Sequence, residues 1–259
     1  DEIELCDELR DIAEDLEARY LGGHYSAMVR RTLAKAMFPS RVIRWCTQQL
    51  KIFPFLDYAF TKYGRDEHEI GRFVNVVGVR AEESAKRAQM SQWDMDDTGF
   101  VIWRPLLAWT EAQVIDIHKR HGIAPNPLYL RGAQRVGCWP CINSRKAEIR
   151  QVAESDNQRI ALMRELEAIL TTRAQKRAEK KGTAPTPRTF FHNPVKGTED
   201  RHAFIDEVVS WSRTNRKGEY EPFAPLPHEA GCTRWGFCDL SWRQVQPPQQ
   251  DLFHSGGDE

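Results

Sequence analysis

Apolar residues recur at helical spacing from the first positions onward. Ile3, Leu9 or Ile12, Leu16 and Tyr20 share one face of a helix predicted over residues 2–20. Residues 25–50 form a basic stretch in which Pro39 interrupts helical patterning, and residues 51–63 read as another helix. The pattern then changes period. Phe73-Val74-Asn75-Val76-Val77-Gly78-Val79 is short, β-branched and almost uniformly apolar, as a buried strand of a parallel sheet requires. A polar loop follows over 80–87, and a second strand is predicted at 99–103 after a turn-like stretch at 94–98. Thr110 and Gln113 have the spacing of a capping box, opening a helix that Gly122 stops. This strand, loop and helix alternation predicts an α/β layer fold, with ligands beyond the carboxyl ends of the strands.

From Ser144 onward the pattern is helical. A helix is predicted over 146–154, and Ile160, Met163, Leu166 and Leu170 then form a stripe that reads as core. Residues 173–188 are basic and carry the breaker Ala184-Pro185-Thr186-Pro187, which reads as an exposed connection. Phe204, Val208 and Trp211 mark one more amphipathic helix, and residues 246–259, rich in Pro, Gln and Gly, read as a tail without a core of its own. No internal repeat is visible.

With 259 residues, 41% of them apolar, the chain can bury a substantial core. Its 37 basic and 37 acidic side chains cancel, so affinity for nucleic acid or nucleotide must come from local patches. One lies at 28–51, where Arg30, Arg31, Lys35, Arg41, Arg44 and Lys51 occur without any acidic residue. No apolar run approaches the ~20 residues that span a bilayer, and no signal-like segment opens the chain, so a cytoplasmic location without membrane attachment is expected. In a reducing compartment, clustered cysteines serve as ligands or redox thiols more often than as disulfides.

Four of the six cysteines form two such clusters. Cys138 and Cys141 stand three positions apart in Gly137-Cys138-Trp139-Pro140-Cys141, and Cys232 and Cys238 enclose Trp235, Gly236 and Phe237. Four soft sulfur ligands suit tetrahedral zinc or a 4Fe-4S cluster, and nothing local decides between them. Cys46 competes for a place in the set: Arg44 and Lys51 lie near it, and cations favour a thiolate. Cys6, inside the acidic first helix, reads as an inert thiol.

Taken in order, Arg44-Trp45-Cys46-Thr47 with Leu50-Lys51-Ile52-Phe53-Pro54, Gly78-Val79-Arg80-Ala81-Glu82-Glu83-Ser84, Trp103-Arg104-Pro105-Leu106, Pro125-Asn126-Pro127-Leu128-Tyr129 and the Cys138–Cys141 turn resemble the phosphoadenosine phosphosulfate (PAPS) reductase-like family, in its phage and bacterial branch. The resemblance covers roughly residues 26–240. It implies a Rossmann-like parallel α/β sheet of the adenine nucleotide α-hydrolase type over 1–143, a helical, cysteine-containing extension over 144–240 and a tail over 241–259. The family's pyrophosphate loop, of the Ser-Gly-Gly-Lys-Asp-Ser type, does not occur in this chain and is expected upstream of Asp1. Leu21-Gly22-Gly23-His24 is no substitute, because it follows a helix and lacks the lysine and aspartate.

The resemblance also implies an enzyme that acts on an adenine nucleotide, PAPS or ATP with Mg2+, in sulfonucleotide reduction or sulfur transfer. By similarity Lys51, Arg80, Glu83, Ser84 and Arg104 are the expected nucleotide contacts, with Arg135 a weaker candidate; Arg presents a planar donor fork to phosphate or sulfate. His121, ahead of Gly122, reads as a helix-ending cap. The expected metal ligands are Cys138, Cys141, Cys232 and Cys238, with Cys46 in reserve. Reduction needs a mobile nucleophilic cysteine, and none follows Cys238 in this sequence, so sulfur transfer stays equally open. A nucleic-acid-binding or nucleic-acid-modifying component, a sulfur-donor protein as partner and a purely structural metal protein are the remaining alternatives.

Overall fold

The first helix forms where the pattern places an apolar face behind an acidic first turn. In the computed structural model, which describes residues 3–63, 74–96, 99–130, 133, 135–138, 140–192, 202–215 and 217–220, helix α1 spans Asp7–Leu21. Asp7 and Glu8 lie at its positive end, and Gly22 closes it at φ 60°, in the left-handed region open to glycine. Helix α2, Ala27–Lys35, is capped by Ser26 Oγ, which accepts the Val29 N–H at 3.3 Å. A buried carboxylate fastens the two. Glu17 accepts the Ser26 N–H at 2.8 Å and both arms of Arg30 at 3.0 and 2.7 Å. Burial alone would raise this carboxyl, but the Arg30 and Ser26 donors hold it below its ordinary range. The helix predicted over 51–63 is α4 (Phe53–Tyr63), which is preceded by α3 (Trp45–Thr47) and a π turn (Gln48–Ile52).

The chain divides into two compact units. Among the described residues, those up to 63 and those from 137 to 220 form one, and those from 74 to 136 form the other. In the second unit, strands β1 (Val74–Val76), β2 (Trp93–Met95) and β3 (Val101–Trp103) make a sheet in the order β1-β3-β2, with the short helix α5 (Ala85–Ala88) between β1 and β2. β1 and β3 are parallel, with Val74 opposite Val101, whereas β2 is antiparallel to β3, with Trp93 opposite Trp103. The described sheet is therefore mixed, not uniformly parallel. Its antiparallel strand takes Asp94 and Met95 from the stretch expected to be a turn, and the reversal occurs later, at Asp96–Gly99, where Gly99 has φ 87°. The apolar run around β1 is not buried either: Val74 and Val76 remain 40% and 59% exposed. Helix α6 (Glu111–Arg120) begins at the predicted capping box, where Thr110 Oγ1 accepts the Gln113 N–H and Gln113 Oε1 accepts the Thr110 N–H at 2.8 Å. His121 ends it as the cap residue, ahead of Gly122 at φ 63°. A single turn, α7 (Pro127–Leu130), follows.

The chain then returns to the first unit with α8 (Lys146–Ser155), the long α9 (Asn157–Lys181), the two-residue strands β4 (Phe191–His192) and β5 (His202–Ala203), and α10 (Ile205–Ser212). The predicted stripe is core: Ile160, Met163, Leu166 and Leu170 are buried with Leu9, Leu16 and Leu33 from the first helices and Ile149, Val152, Ile205 and Val208 from the later ones. Helices α1 and α2, from the segment expected as 1–143, thus share one core with α8–α10 of the segment expected as 144–240. Glu167, only 1% exposed, stitches this core by accepting the Phe190 N–H at 2.9 Å and the Ile205 N–H at 2.8 Å. Among the described residues no helix is long and apolar enough to cross a membrane.

Candidate functional site

Cys138 and Cys141 lie on an irregular turn that leads into α8, and its backbone is tied down locally. The Cys141 N–H donates to Ser144 Oγ at 3.0 Å, and the Ser144 N–H returns to the Cys141 carbonyl at 2.8 Å. The Asn143 N–H points at Cys141 Sγ, 3.5 Å away. An N–H aimed at a cysteine sulfur is the kind of outer contact that orients and tunes a thiolate ligand. Cys138 is exposed and Cys141 half-buried, and both are free thiols.

Lys51 reaches this turn across 87 positions of sequence, its Nζ lying 3.6 Å from Cys138 Sγ. It stands in the π turn, where the wider helical winding shifts side-chain phase between α3 and α4. Trp45, 3% exposed, buries its Nε1 in the same segment, and Gln49 buries its Oε1; neither atom has a hydrogen-bond partner.

Cys46 sits in α3, half-buried, yet it does not join the Cys138–Cys141 pair: among the described residues no three His, Cys, Asp or Glu side chains converge as metal ligands. Cys232 and Cys238 lie outside the described residues. The turn therefore presents two free thiols, one of which receives a backbone N–H.

The anion candidates of the second unit are committed to neighbouring groups. Arg80, after β1, donates through Nη1 to Glu82 Oε2 at 2.7 Å, and the same oxygen accepts the Glu111 N–H at 2.9 Å. Glu83 is paired with Arg87 and accepts the Arg80 N–H at 3.4 Å, while Ser84 Oγ caps α5 by accepting the Arg87 N–H at 3.2 Å. Two arginines and two glutamates thus pair off within one loop. Arg104, 8% exposed, donates to the Ser91 carbonyl at 2.8 Å and to Asp94 Oδ2 at 3.3 Å, so its fork holds β3 against the start of β2. Arg135 is exposed. Lys51, by contrast, meets the cysteine turn within the first unit. Ser144 and Asn143, which fix that turn, were not singled out in the sequence; a serine three positions after a cysteine was the available signal.

Comparison with known proteins covers the same part of the sequence. Residues 28–144 match the phosphoadenosine phosphosulfate reductase domain. An uncharacterized 37.8 kDa protein of Escherichia phage 186 is 38% identical over 216 residues, 77% of this chain and 60% of that protein. An adenosine 5′-phosphosulfate reductase of Burkholderia cepacia is 39% identical over 67 residues, and one of Mycolicibacterium smegmatis is 35% identical over 68. These segments are 26% of this chain and under a third of each reductase, 27% and 28%. The chain thus spans about three fifths of the phage relative and a smaller part of the reductases. No solved structure matches it. Lys51, Cys138 and Cys141 all lie inside the segment, residues 28–144, that matches the phosphoadenosine phosphosulfate reductase domain.

Proposed function

We propose that the protein performs sulfur chemistry on an adenine nucleotide, as a sulfonucleotide reductase or a nucleotide-dependent sulfur transferase, around the Cys138–Cys141 turn. The observation that carries this reading is the Lys51 ammonium 3.6 Å from Cys138 Sγ, on a turn whose second sulfur receives a backbone N–H. A fixed positive charge beside a sulfur balances negative charge on a ligated thiolate, or on a sulfate or phosphate oxygen brought to it.

A 4Fe-4S cluster would take Cys138 and Cys141 as two ligands and Cys232 and Cys238 as the other two. Zinc takes the same four thiolates. When bound, a cluster would supply charge and redox tuning beside the reacting sulfur. The chain's own residues do the rest of what is on view. Lys51 holds positive charge at the turn, Ser144 fixes the Cys141 backbone, and the Asn143 N–H orients the Cys141 sulfur. Nucleotide contacts from Arg80, Glu83 and Ser84 require Arg80 to exchange Glu82 for an incoming anion.

The deciding experiment is anaerobic purification followed by metal analysis, a visible spectrum and an assay for sulfite release from PAPS or adenosine 5′-phosphosulfate with a thiol reductant. Broad absorption near 400 nm with about four irons per chain, lost in Cys138→Ser and Cys141→Ser, is expected. One zinc per chain without colour would reject the cluster. Turnover of neither sulfonucleotide, together with no ATP-to-pyrophosphate exchange, would reject the enzyme.

A further inference from the structure

A cavity of about 790 Å³ opens in the first unit directly after the cysteine turn. Ile142, Asn143 and Ser144 form one side, and the first turn of α8 and residues Pro39–Val42 form others. The largely buried Phe190 and Phe191 and the half-buried Trp211 supply apolar lining, while Arg41, Arg145, Lys146 and His202 supply positive or protonatable groups. No carboxylate lines it among the described residues. We propose that this cavity binds a flat ring joined to a phosphate group, a nucleotide unit, at a site that adjoins the cysteine turn through Asn143 and Ser144 but does not use its sulfurs.

Size, charge and shape each narrow the ligand. Pockets for small molecules enclose roughly 300–1,000 Å³, so one nucleotide fits and a folded partner does not. Arg41 and Arg145 are exposed, and neither pairs with a carboxylate among the described residues. Their guanidinium groups can therefore meet an anion without breaking an existing ion pair. The helix start in the same wall is already capped by Glu148, which accepts the Arg145 N–H at 2.8 Å, so the anion contact falls to the two guanidinium groups. A bare phosphate would leave the aromatic wall unused, and a plain hydrocarbon would leave the arginines unused.

The aromatic wall is held in place before any ligand arrives. Phe190 packs edge-on against Phe38 at 5.5 Å and against Phe191 at 4.8 Å between ring centroids. The Lys146 ammonium lies 4.9 Å from the Trp211 ring centroid and is itself anchored by Thr214 Oγ1 at 2.8 Å and the Asn215 carbonyl at 3.4 Å. Fixed rings lose little conformational freedom when a base stacks on them, and sequence-tolerant stacking is how single-stranded nucleic acid is held. A free nucleotide and a nucleotide unit of a single strand share this chemistry.

The test is calorimetric titration of the full chain with AMP, adenosine, inorganic phosphate and a 5′-phosphorylated single-stranded DNA decamer. The expected result is that AMP binds and that adenosine and phosphate each bind roughly tenfold or more weakly, as loss of charge-assisted hydrogen bonds or of stacking predicts. In the double variant Arg41→Ala with Arg145→Ala, AMP weakens by roughly tenfold while adenosine does not change. Trp211→Leu weakens both. A decamer that binds more tightly than AMP, with affinity falling steeply in added salt, identifies a strand as the source of the nucleotide unit; equal affinity identifies the free nucleotide. AMP affinity unchanged in the arginine variant, or no binding of any of the four probes, overturns the proposal. Both arginines are exposed, so that variant keeps its fold, which circular dichroism checks. Because the cysteines are untouched, the sulfite assay reads the sulfur chemistry separately.

Discussion

The two compact units solve the burial problem in opposite ways. In the first, helices from both ends of its sequence bury Leu16, Leu33 and Leu170 completely, and its buried charges are bonded in place: Glu17 to Arg30 and Ser26, Glu167 to two backbone N–H groups. In the second, the sheet is three short strands whose valines at 74 and 76 and whose Trp93 and Met95 stay largely exposed, and order rests on polar ties such as Arg104 to Ser91 and Asp94. Apolar sequence alone does not secure burial. Helical stripes find a matching stripe within the same unit, whereas a strand face needs a covering layer.

The largest expected effect follows from the first unit's core. Leu170→Ala removes a side chain with no exposed surface and should cost ~2–5 kcal/mol, the range for leucine truncation in a packed core. Val76→Ala on the half-open strand should cost well under ~1 kcal/mol. Urea denaturation of both variants measures the contrast, and equal losses would mean that the described sheet face is covered in solution.

The second effect depends on pH. Burial pushes the Glu167 carboxyl from 4.5 up to about 7, against the Ile205 and Phe190 N–H donors that favour the anion, with Asp206 and Glu207 adding to the rise. The folded state thus holds this proton more tightly than the unfolded chain. Its contribution to stability is fully present below pH 4.5 and is lost as pH rises through about 7. Glu17, Glu165 and Asp206 work in the other direction, since their carboxyls are held low and their contributions fade as pH falls. Glu167→Gln keeps one acceptor and loses the other, for a cost of ~1–3 kcal/mol, and should flatten the fall in urea midpoint between pH 5 and 8. An unchanged pH profile in that variant would assign the slope to other groups.

Legibility in the sequence followed the range of the interaction. The α9 stripe, the Thr110–Gln113 box and the stop at Gly122 depend on residues within one or two turns and were readable directly. The antiparallel strand was not, because Trp93-Asp94-Met95 is short and lies wholly on the surface, with no burial to imprint alternation. Arg104 looked like an anion ligand because its partners lie 10 and 13 positions away and nothing in the residues between announces them. The Cys138–Cys141 turn was visible from spacing. Its tie to Lys51 crosses 87 positions and was accessible only as a resemblance between ordered motifs.

A smaller effect tests the polar order of the second unit. Arg104→Ala strips the Ser91 carbonyl and Asp94 of their donor, and with Asp94 half exposed the cost should be about 1 kcal/mol. The same variant separates structure from binding. Because these donors face the protein's own strands, affinity for AMP or a sulfonucleotide should stay within about twofold of the parent. A tenfold loss of affinity with unchanged stability would restore Arg104 as a ligand contact.

The smallest effect concerns the sheet's outer strand. Trp93 and Trp103 face each other across β2 and β3 in direct register, with ring centroids 5.4 Å apart and planes 11° from parallel. Such cross-strand aromatic pairs contribute about 0.5 kcal/mol or more. Trp93→Ala should therefore lower stability only slightly, yet abolish the near-ultraviolet dichroism that two stacked indoles generate. Leu170→Ala should show the reverse, a large loss of stability with that signal intact until unfolding. If the Leu170 variant loses the indole signal under native conditions, the order of the sheet depends on the helical core, and the contrast between the two units is one of burial and not of independence.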